Sequence, residues 1–174
     1  MNKLHKKRKF INFEDLILFE DERIIVVNKP PGLASLDERA EGVPNLLRLG
    51  KKYNPDVQLC HRLDKLTTGT IVFSKSTDIY RAMAHLFSER EVLKHYIAVI
   101  HGARDFEDFP IEMPIQVGPR GQAKVSFNGG KEALTVVSTA EKFKDFTLVD
   151  CHPITGRLHQ IRIHLASVGA PLIG

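Results

Sequence analysis

Apolar and polar positions divide the chain into many short strands with a few helices between them. Between residues 16 and 28, two apolar runs flank the acidic stretch 20–22, which predicts a β-hairpin. The run at 94–102 is apolar on both faces, so we expect it to be central in its sheet. Further strands are predicted at 57–60, 70–74, 111–117, 123–127, 133–139 and 146–152.

Three segments instead show the apolar spacing of helices. The first runs from Pro44 to Tyr53, with Pro44 in the first turn. The second follows the potential caps at residues 76–78, and the third extends from about Arg157 to Ser167. Many strands, few helices and hairpin-length links predict an α+β fold with a largely antiparallel or mixed sheet.

The composition is typical of a globular protein without membrane spans or a disulfide scaffold. The chain has 174 residues, 43% of them hydrophobic, which is enough for one domain with a buried core. No apolar run reaches the ~20 residues that span a bilayer, and no secretory signal is recognisable, so we expect no membrane partner. The only cysteines, Cys60 and Cys151, do not resemble a disulfide scaffold, which favours a cytoplasmic location.

The formal charge of +4 is unevenly distributed. Five of the 25 basic residues lie between positions 3 and 9, and the remaining 20 nearly balance the 21 acidic residues. We therefore treat residues 1–12 as a basic N-terminal arm, a feature typical of phosphate-binding tails. A solvated terminus would have the same composition.

The polar loop His61–Gly69 lies between two predicted strands and contains a single acid, Asp64. His61, Arg62 and Lys65 surround this acid in sequence, so an ionised carboxylate there could face a phosphate-rich substrate. The alternative is that Asp64 caps the loop or pairs with Arg62. Glycosidases use a second carboxylate, and neither this loop nor residues 152–174 supplies one, which counts against hydrolysis.

Residues 152–164 form a second polar group with three candidate functional residues. Arg157 and His159 are predicted in the first helical turn, where backbone N–H groups favour phosphate. Arg162 is predicted to border the buried face of the helix and to pair with a carboxylate, for which Asp64 is the candidate. The alternative is a surface helix with scattered basic residues.

Metal and nucleotide cofactors are not indicated. His159 and His164 would lie about 140° apart around a helix, and no Cys-x-x-Cys or His-Glu-x-x-His pattern exists, so we expect no metal site from the histidines. The histidines considered are His61, His152, His159 and His164. No Walker or dinucleotide motif is present, and Tyr96 is either a packing residue or a surface for stacking on a base.

Taken together, these segments resemble the RluA-type pseudouridine synthases across about residues 16–174. The resemblance implies a pseudouridine synthase fold with a central RNA-binding cleft, and isomerisation of uridine to pseudouridine in rRNA or tRNA without water or a cofactor. The stretches that carry it are 27–33, 61–64 with 67–69, 96–98 with Gly102, 154–165, and 169–174.

The resemblance also implies roles for individual residues. Asp64 would be catalytic, Tyr96 would pack on the base, and Arg162 would pair with Asp64. Arg62 would contact RNA beside the target nucleotide, which has to leave its stack at a cost of roughly a few kcal/mol. Further RNA contacts are expected from Lys29, His61, Arg157 and His159.

Two departures from the family pattern qualify these expectations. No small S4-like domain precedes the catalytic segment, so the arm and catalytic domain would have to select the RNA. Members of the family continue past Gly174, so we expect residues 13–174 to be a catalytic domain truncated at its C-terminus. We expect a monomer, and the alternatives are a non-catalytic RNA-binding or remodelling protein and a nucleoside hydrolase.

Overall fold

The computed structural model describes residues 11–37, 43–119 and 121–173. It consists of two compact units, Met1–Ser88 and Glu89–Gly174, and each is described by itself. The basic residues of the predicted N-terminal arm and the terminal Gly174 lie outside the described residues. The arm, the C-terminal truncation and the single catalytic domain 13–174 therefore stay predictions.

The first unit is built on a four-stranded antiparallel sheet. Its strands are β1 (Ile17–Glu20), β2 (Ile24–Lys29), β3 (Gln58–Leu59) and β4 (Gly69–Ser74), in the order β1-β2-β4-β3. The hairpin predicted at 16–28 is confirmed as β1 and β2. Asp21 closes its turn because one carboxylate oxygen accepts hydrogen bonds from the backbone N–H groups of Arg23 and Ile24, each at 2.8 Å.

Two helices, α1 (Leu46–Tyr53) and α2 (Thr77–Ser88), complete the first unit. Asn45 caps α1, since its side chain accepts from the backbone N–H of Arg48 at 2.9 Å. Pro44 therefore precedes the cap, and its predicted place in the first turn is wrong. Gly50 lies so close to the sheet that a Cβ atom would stand 2.9 Å from the Phe73 ring, which explains a glycine inside this helix.

The second unit contains a four-stranded antiparallel sheet, a two-stranded ribbon and one helix. The elements are β5 (Tyr96–His101), β6 (Phe109–Glu112), β7 (Ile115–Val117), β8 (Ala123–Val125), β9 (Leu134–Lys142), β10 (Phe146–Pro153) and α3 (Gln160–Ser167), with β7 paired to β8. The sheet has the order β5-β10-β9-β6, and Leu165 of α3 packs in a core with Ile100, Val137 and Val149.

Strand β5 lies at the end of its sheet, so its predicted central position is wrong. It pairs with β10 on one side, and its other side has a single bridge between Ile100 and Leu172. Ile97 is 74% exposed, so an apolar residue on this face did not signal burial. The pattern of apolar residues therefore predicted the strand correctly but not its position in the sheet.

The single strand predicted at 111–117 is two strands, β6 and β7, that end and begin on either side of Pro114. Proline has no backbone N–H and cannot continue a ladder of hydrogen bonds, whereas its carbonyl accepts from Ser126 at 2.8 Å. The α+β class and the antiparallel pairing of the strands are confirmed. Among the described residues, none of the helices is long and apolar enough to cross a membrane.

Candidate active site

Asp64 lies in the loop between β3 and β4, together with His61 and Arg62. Its side chain is half-buried, and its backbone carbonyl accepts from Thr67 at 3.1 Å, which closes a turn. Gly69 has a φ of +123°, a conformation that favours glycine, and it brings the chain back into β4. The loop is therefore a tight connection, and it lies between two strands as the sequence predicted.

Ser35 clamps the backbone immediately before Asp64. Its hydroxyl donates to the carbonyl of Leu63 at 2.7 Å and accepts from the N–H of the same residue at 3.1 Å. Both Ser35 and Leu63 are buried. These two hydrogen bonds fix both polar groups of one residue, and Asp64 is the next residue in the chain.

Lys29 anchors the chain immediately after Asp64. This lysine is completely buried at the end of β2, and its ammonium donates to the carbonyls of Pro30, Leu33 and Lys65 at 2.9–3.0 Å. An ammonium has three protons, so these three acceptors use its full donor capacity. The Lys65 carbonyl accepts a second hydrogen bond, from the N–H of Gly32 at 2.8 Å.

The burial of Lys29 has an electrostatic consequence for the loop. Burial lowers the pKa of the Lys29 ammonium, and the negative charge of Asp64 acts in the opposite direction by raising it. A cation and the candidate catalytic carboxylate therefore stabilise one another inside the first unit. This placement argues against the direct RNA contact that the sequence analysis expected of Lys29, because RNA cannot reach a fully buried ammonium with all its protons engaged.

His61 and Arg62 precede Asp64 in the loop. The Nε2 atom of His61 accepts from the backbone N–H of Val72 at 3.2 Å, and its ring packs at 4.8 Å from the ring of Phe87 on α2. The Nε2 atom is therefore unprotonated and holds the loop against β4. The side chain of Arg62 is exposed, so a phosphate in solution could reach it.

In the second unit, the segment before α3 differs from the sequence prediction. The helix begins at Gln160, so Arg157 and His159 precede it and their predicted place in the first helical turn is wrong. His159 occupies the cap position with a φ of +53°, outside helical conformation. Helical spacing of apolar residues could not reveal this boundary, because the residues that fix it are polar.

Gln160 fixes the start of α3 through four hydrogen bonds. Its carbonyl oxygen accepts from the hydroxyl of Thr155 at 2.7 Å and from the N–H of Arg157 at 2.9 Å. Its amide nitrogen donates to the carbonyl of Leu134 at 2.9 Å and to the hydroxyl of Thr135 at 3.0 Å. The buried amide therefore ties the turn before the helix to strand β9.

His164 continues this buried network one turn later. Its Nε2 atom lies 3.0 Å from the carbonyl of Met113, and its Nδ1 atom lies 3.0 Å from the hydroxyl of Thr135. A carbonyl can only accept, so Nε2 carries the proton and Nδ1 accepts from Thr135. Burial lowers the pKa of His164, in keeping with a neutral ring.

The remaining predicted site residues of the second unit lie near this network. Arg157 is half-buried, and its Nε atom donates to the carbonyl of Glu132 at 2.8 Å. Arg162 is exposed and lies about 60° around the helix from the buried Leu165, so it borders the buried face as predicted. Tyr96 begins β5, opposite Cys151, and packs against the core.

Each unit thus assembles one part of the predicted site. The first unit brings together Asp64, Arg62, His61 and Lys29, and the second carries Tyr96, Arg157, His159 and Arg162. The pairing of Arg162 with Asp64 stays a prediction. Three positioning residues were not predicted from the sequence: Ser35 and, inside the polar segment 152–164, Gln160 and His164.

Residues 23–167 match the family model described as RNA pseudouridylate synthase. The chain is 35% identical over 161 residues to the dual-specificity RNA pseudouridine synthase RluA of Vibrio cholerae, which covers 91% of this chain and 66% of that protein. It is also 35% identical over 165 residues to the ribosomal large subunit pseudouridine synthase D of Nitrosomonas europaea, covering 91% of this chain and 48% of the relative.

A solved structure gives the same result for the fold. Human RNA Pseudouridylate Synthase Domain Containing 4 superposes with a TM-score of 0.75 at 26% identity, covering 93% of this chain and 69% of that one. The predicted pseudouridine synthase fold is therefore confirmed. The chain spans between about half and two thirds of the two bacterial relatives, at 48% and 66% of their lengths.

Proposed function

The chain belongs to the RNA pseudouridylate synthase family, and we propose that it isomerises uridine to pseudouridine in structured RNA with Asp64 as the catalytic residue. The observation that supports this most directly is the fixation of the backbone on both sides of Asp64. Ser35 holds Leu63, and the buried Lys29 holds Lys65. A carboxylate that acts on one sugar–base junction needs such a rigid support.

The proposed reaction requires only one carboxylate. The bond between N1 and C1′ breaks, the uracil turns over, and C5 forms a bond with C1′. The C5 hydrogen then leaves as a proton while N1 ends with a proton, so product and substrate have the same composition. Asp64 would attack C1′, add to C6 or remove the 2′ proton, and each route uses an ionised carboxylate beside the sugar.

We assign supporting roles to residues of both units. Tyr96 would stack on the uracil, and Arg162 would pair with Asp64 and orient it. Arg62 is exposed, and it would contact RNA beside the target nucleotide. Its charge would offset part of the unstacking cost of that nucleotide.

RNA contacts outside the target nucleotide are assigned to Arg157, His159 and His61. His159 is exposed at the cap position of α3, where the positive end of the helix dipole would favour phosphate. Arg157 keeps donor nitrogens beyond the Nε atom that bonds Glu132. His61 is assigned to such a contact as well, and its Nε2 atom, which accepts from Val72, would not take part in it.

The substrates we propose are rRNA and tRNA, because relatives are named as dual-specificity and as ribosomal large subunit enzymes. The protein would act as a cytoplasmic monomer, and its isomerisation reaction would need no metal or nucleotide cofactor.

Tritium release tests the activity directly. Transcripts of large-subunit rRNA and of tRNA would be made with uridine labelled with tritium at C5, and the label would be measured in water after incubation with the protein. Formation of the C5–C1′ bond expels this hydrogen, so the proposal predicts release from at least one transcript. Tight binding of both transcripts without release would instead support the non-catalytic RNA-binding alternative.

A further inference from the structure

We propose that His95, Asp150 and His152 form a binding site for a divalent first-row transition metal ion such as Zn²⁺. One ligand atom of each residue lies within 4.8 Å of those of the other two. All three residues belong to the second unit, so the site does not depend on how the two units are arranged. The proposal also does not rest on the proposed function, because none of the three is assigned to the isomerisation.

Strand register explains why these side chains meet. Asp150 and His152 are two residues apart on β10, so they point to the same face of the sheet. Cys151 is opposite Tyr96 in the antiparallel pairing of β10 with β5, and one step further along this register sets His152 opposite His95. The two imidazole rings pack edge to face with centroids 4.0 Å apart.

The site lies on the face of the sheet that is turned away from the core. Cys151 and Tyr96 point towards the core with α3, whereas their neighbours on the two strands point the other way. Ile97 is opposite Asp150 on this outer face and is largely exposed. His95 is exposed, while Asp150 and His152 are half-buried, so an ion in solution could reach all three ligand atoms.

The donor set selects the class of ion. Two imidazoles and one carboxylate are the three protein ligands of many zinc sites, in which water fills the remaining position. Imidazole nitrogen favours zinc, nickel and copper over magnesium and calcium, which prefer oxygen ligands. In a tetrahedral site with bonds of about 2.0 Å, donor atoms stand about 3.3 Å apart, so small side-chain rotations would close the group.

The ligand atoms are also available for binding. Within the described ranges 11–37, 43–119 and 121–173, no hydrogen bond or salt bridge engages the Asp150 carboxylate or the two imidazoles. A bound ion would join β5 to β10 at the end of the sheet where β5 begins. It would therefore strengthen the attachment of a strand that has a full neighbour on one side only.

Sequence spacing could not indicate this group. In the sequence, His152 was grouped only with histidines of other elements, and His95 and Asp150 are 55 residues apart in the chain. Antiparallel pairing brings them together.

Zinc titration of the purified chain, with a competing chromophoric chelator, would test the proposal. We expect one Zn²⁺ per chain and a higher melting temperature in its presence. H95Q should weaken binding at least about tenfold, since even loss of residues that only support zinc ligands costs 10–100-fold. H101Q is the matched control, because His101 is an exposed histidine at the other end of the same strand, and it should bind like the wild type.

Cobalt provides a second measurement that does not depend on stability. Bound Co²⁺ should show visible absorption of nitrogen and oxygen ligation without a thiolate charge-transfer band, and D150N should reduce it. A thiolate band would place the ion at a cysteine and overturn the proposal. Equal zinc affinity in wild type, H95Q and D150N, or no stoichiometric binding by the wild type, would overturn it as well.

Discussion

The Asp64 loop and the segment before α3 are both positioned by buried polar side chains, but one anchor is charged and the other is neutral. In the loop, the Lys29 ammonium donates to three carbonyls, one of them next to Asp64. Before α3, the amide of Gln160 and the ring of His164 share the hydroxyl of Thr135. A buried ammonium thus fixes the backbone of one region, and uncharged side chains fix that of the other.

The difference follows from what each region has to hold. The Asp64 loop presents a carboxylate, and a buried cation beside it lowers the electrostatic cost of that charge. The segment before α3 carries basic residues, and a buried cation there would repel them. The uncharged hydrogen-bond network of Gln160, Thr135 and His164 holds the segment without this repulsion. Removing each anchor should therefore have effects of different size and different pH dependence.

Replacing the charged anchor should have the largest effect. K29M has a side chain of similar length without donors, so three carbonyls lose the hydrogen bond from the ammonium, and the free energy of unfolding should fall by about 3 kcal/mol. Urea denaturation would measure it. K51M is the control, since Lys51 is exposed on α1, and its effect should stay within about 0.5 kcal/mol. Equal effects in both variants would contradict the anchoring role.

The neutral anchor should be the weaker of the two. Q160L removes a neutral amide with four hydrogen bonds, and we expect a loss of about 2 kcal/mol in the free energy of unfolding. The same urea experiment applies, with Q122L as the control because Gln122 is exposed beside the β7–β8 ribbon. A larger loss for Q160L than for K29M would reverse the proposed ranking of the two regions.

Low pH should reduce the contribution of His164 to the free energy of unfolding. Burial lowers the pKa of His164, so below the ordinary histidine value of about 6.5 the unfolded chain binds a proton that the folded chain does not. The contribution of His164 is then fully present above pH 6.5 and is lost as the pH falls towards its folded pKa, by at most about 1.4 kcal/mol per unit.

Thermal unfolding at several pH values between 5 and 8 would measure this dependence. H164Q keeps a donor and an acceptor without titrating in this range, so it should flatten the profile. H85Q should leave the profile unchanged, because His85 is exposed on α2. An equally steep profile in H164Q and in the wild type would show that other groups cause it.

The smallest effect concerns thiol reactivity rather than stability. Cys60 is half-buried immediately before the Asp64 loop, and burial raises its pKa, whereas Cys151 is fully buried on β10 and its pKa is raised to about 12. Iodoacetamide reacts with thiolates, so Cys60 should be labelled faster than Cys151, as peptide mass spectrometry would show. Preferential labelling of Cys151 would indicate that the sheet beneath α3 opens more readily than the loop.

The sequence predicted what depends on local patterns. Alternating apolar residues gave the β1–β2 hairpin, and the isolated acid among cations identified Asp64 as the residue of interest. It could not give long-range hydrogen bonds, such as that between Lys29 and the carbonyl of Lys65, because any residue has a carbonyl. For the same reason the start of α3 was misplaced, since Gln160 fixes it through β9.

The central claim is that Asp64 performs the chemistry, and comparison of D64N with D56N tests it most directly. Asp56 is an exposed acid in the same unit, and asparagine has the shape of aspartate without its charge. Pseudouridine formation would be measured on an RNA that the wild type modifies, at protein concentrations that saturate the RNA. We expect D64N to bind this RNA but to modify it at least about a thousandfold more slowly, while D56N matches the wild type. Equal rates for D64N and D56N would contradict it.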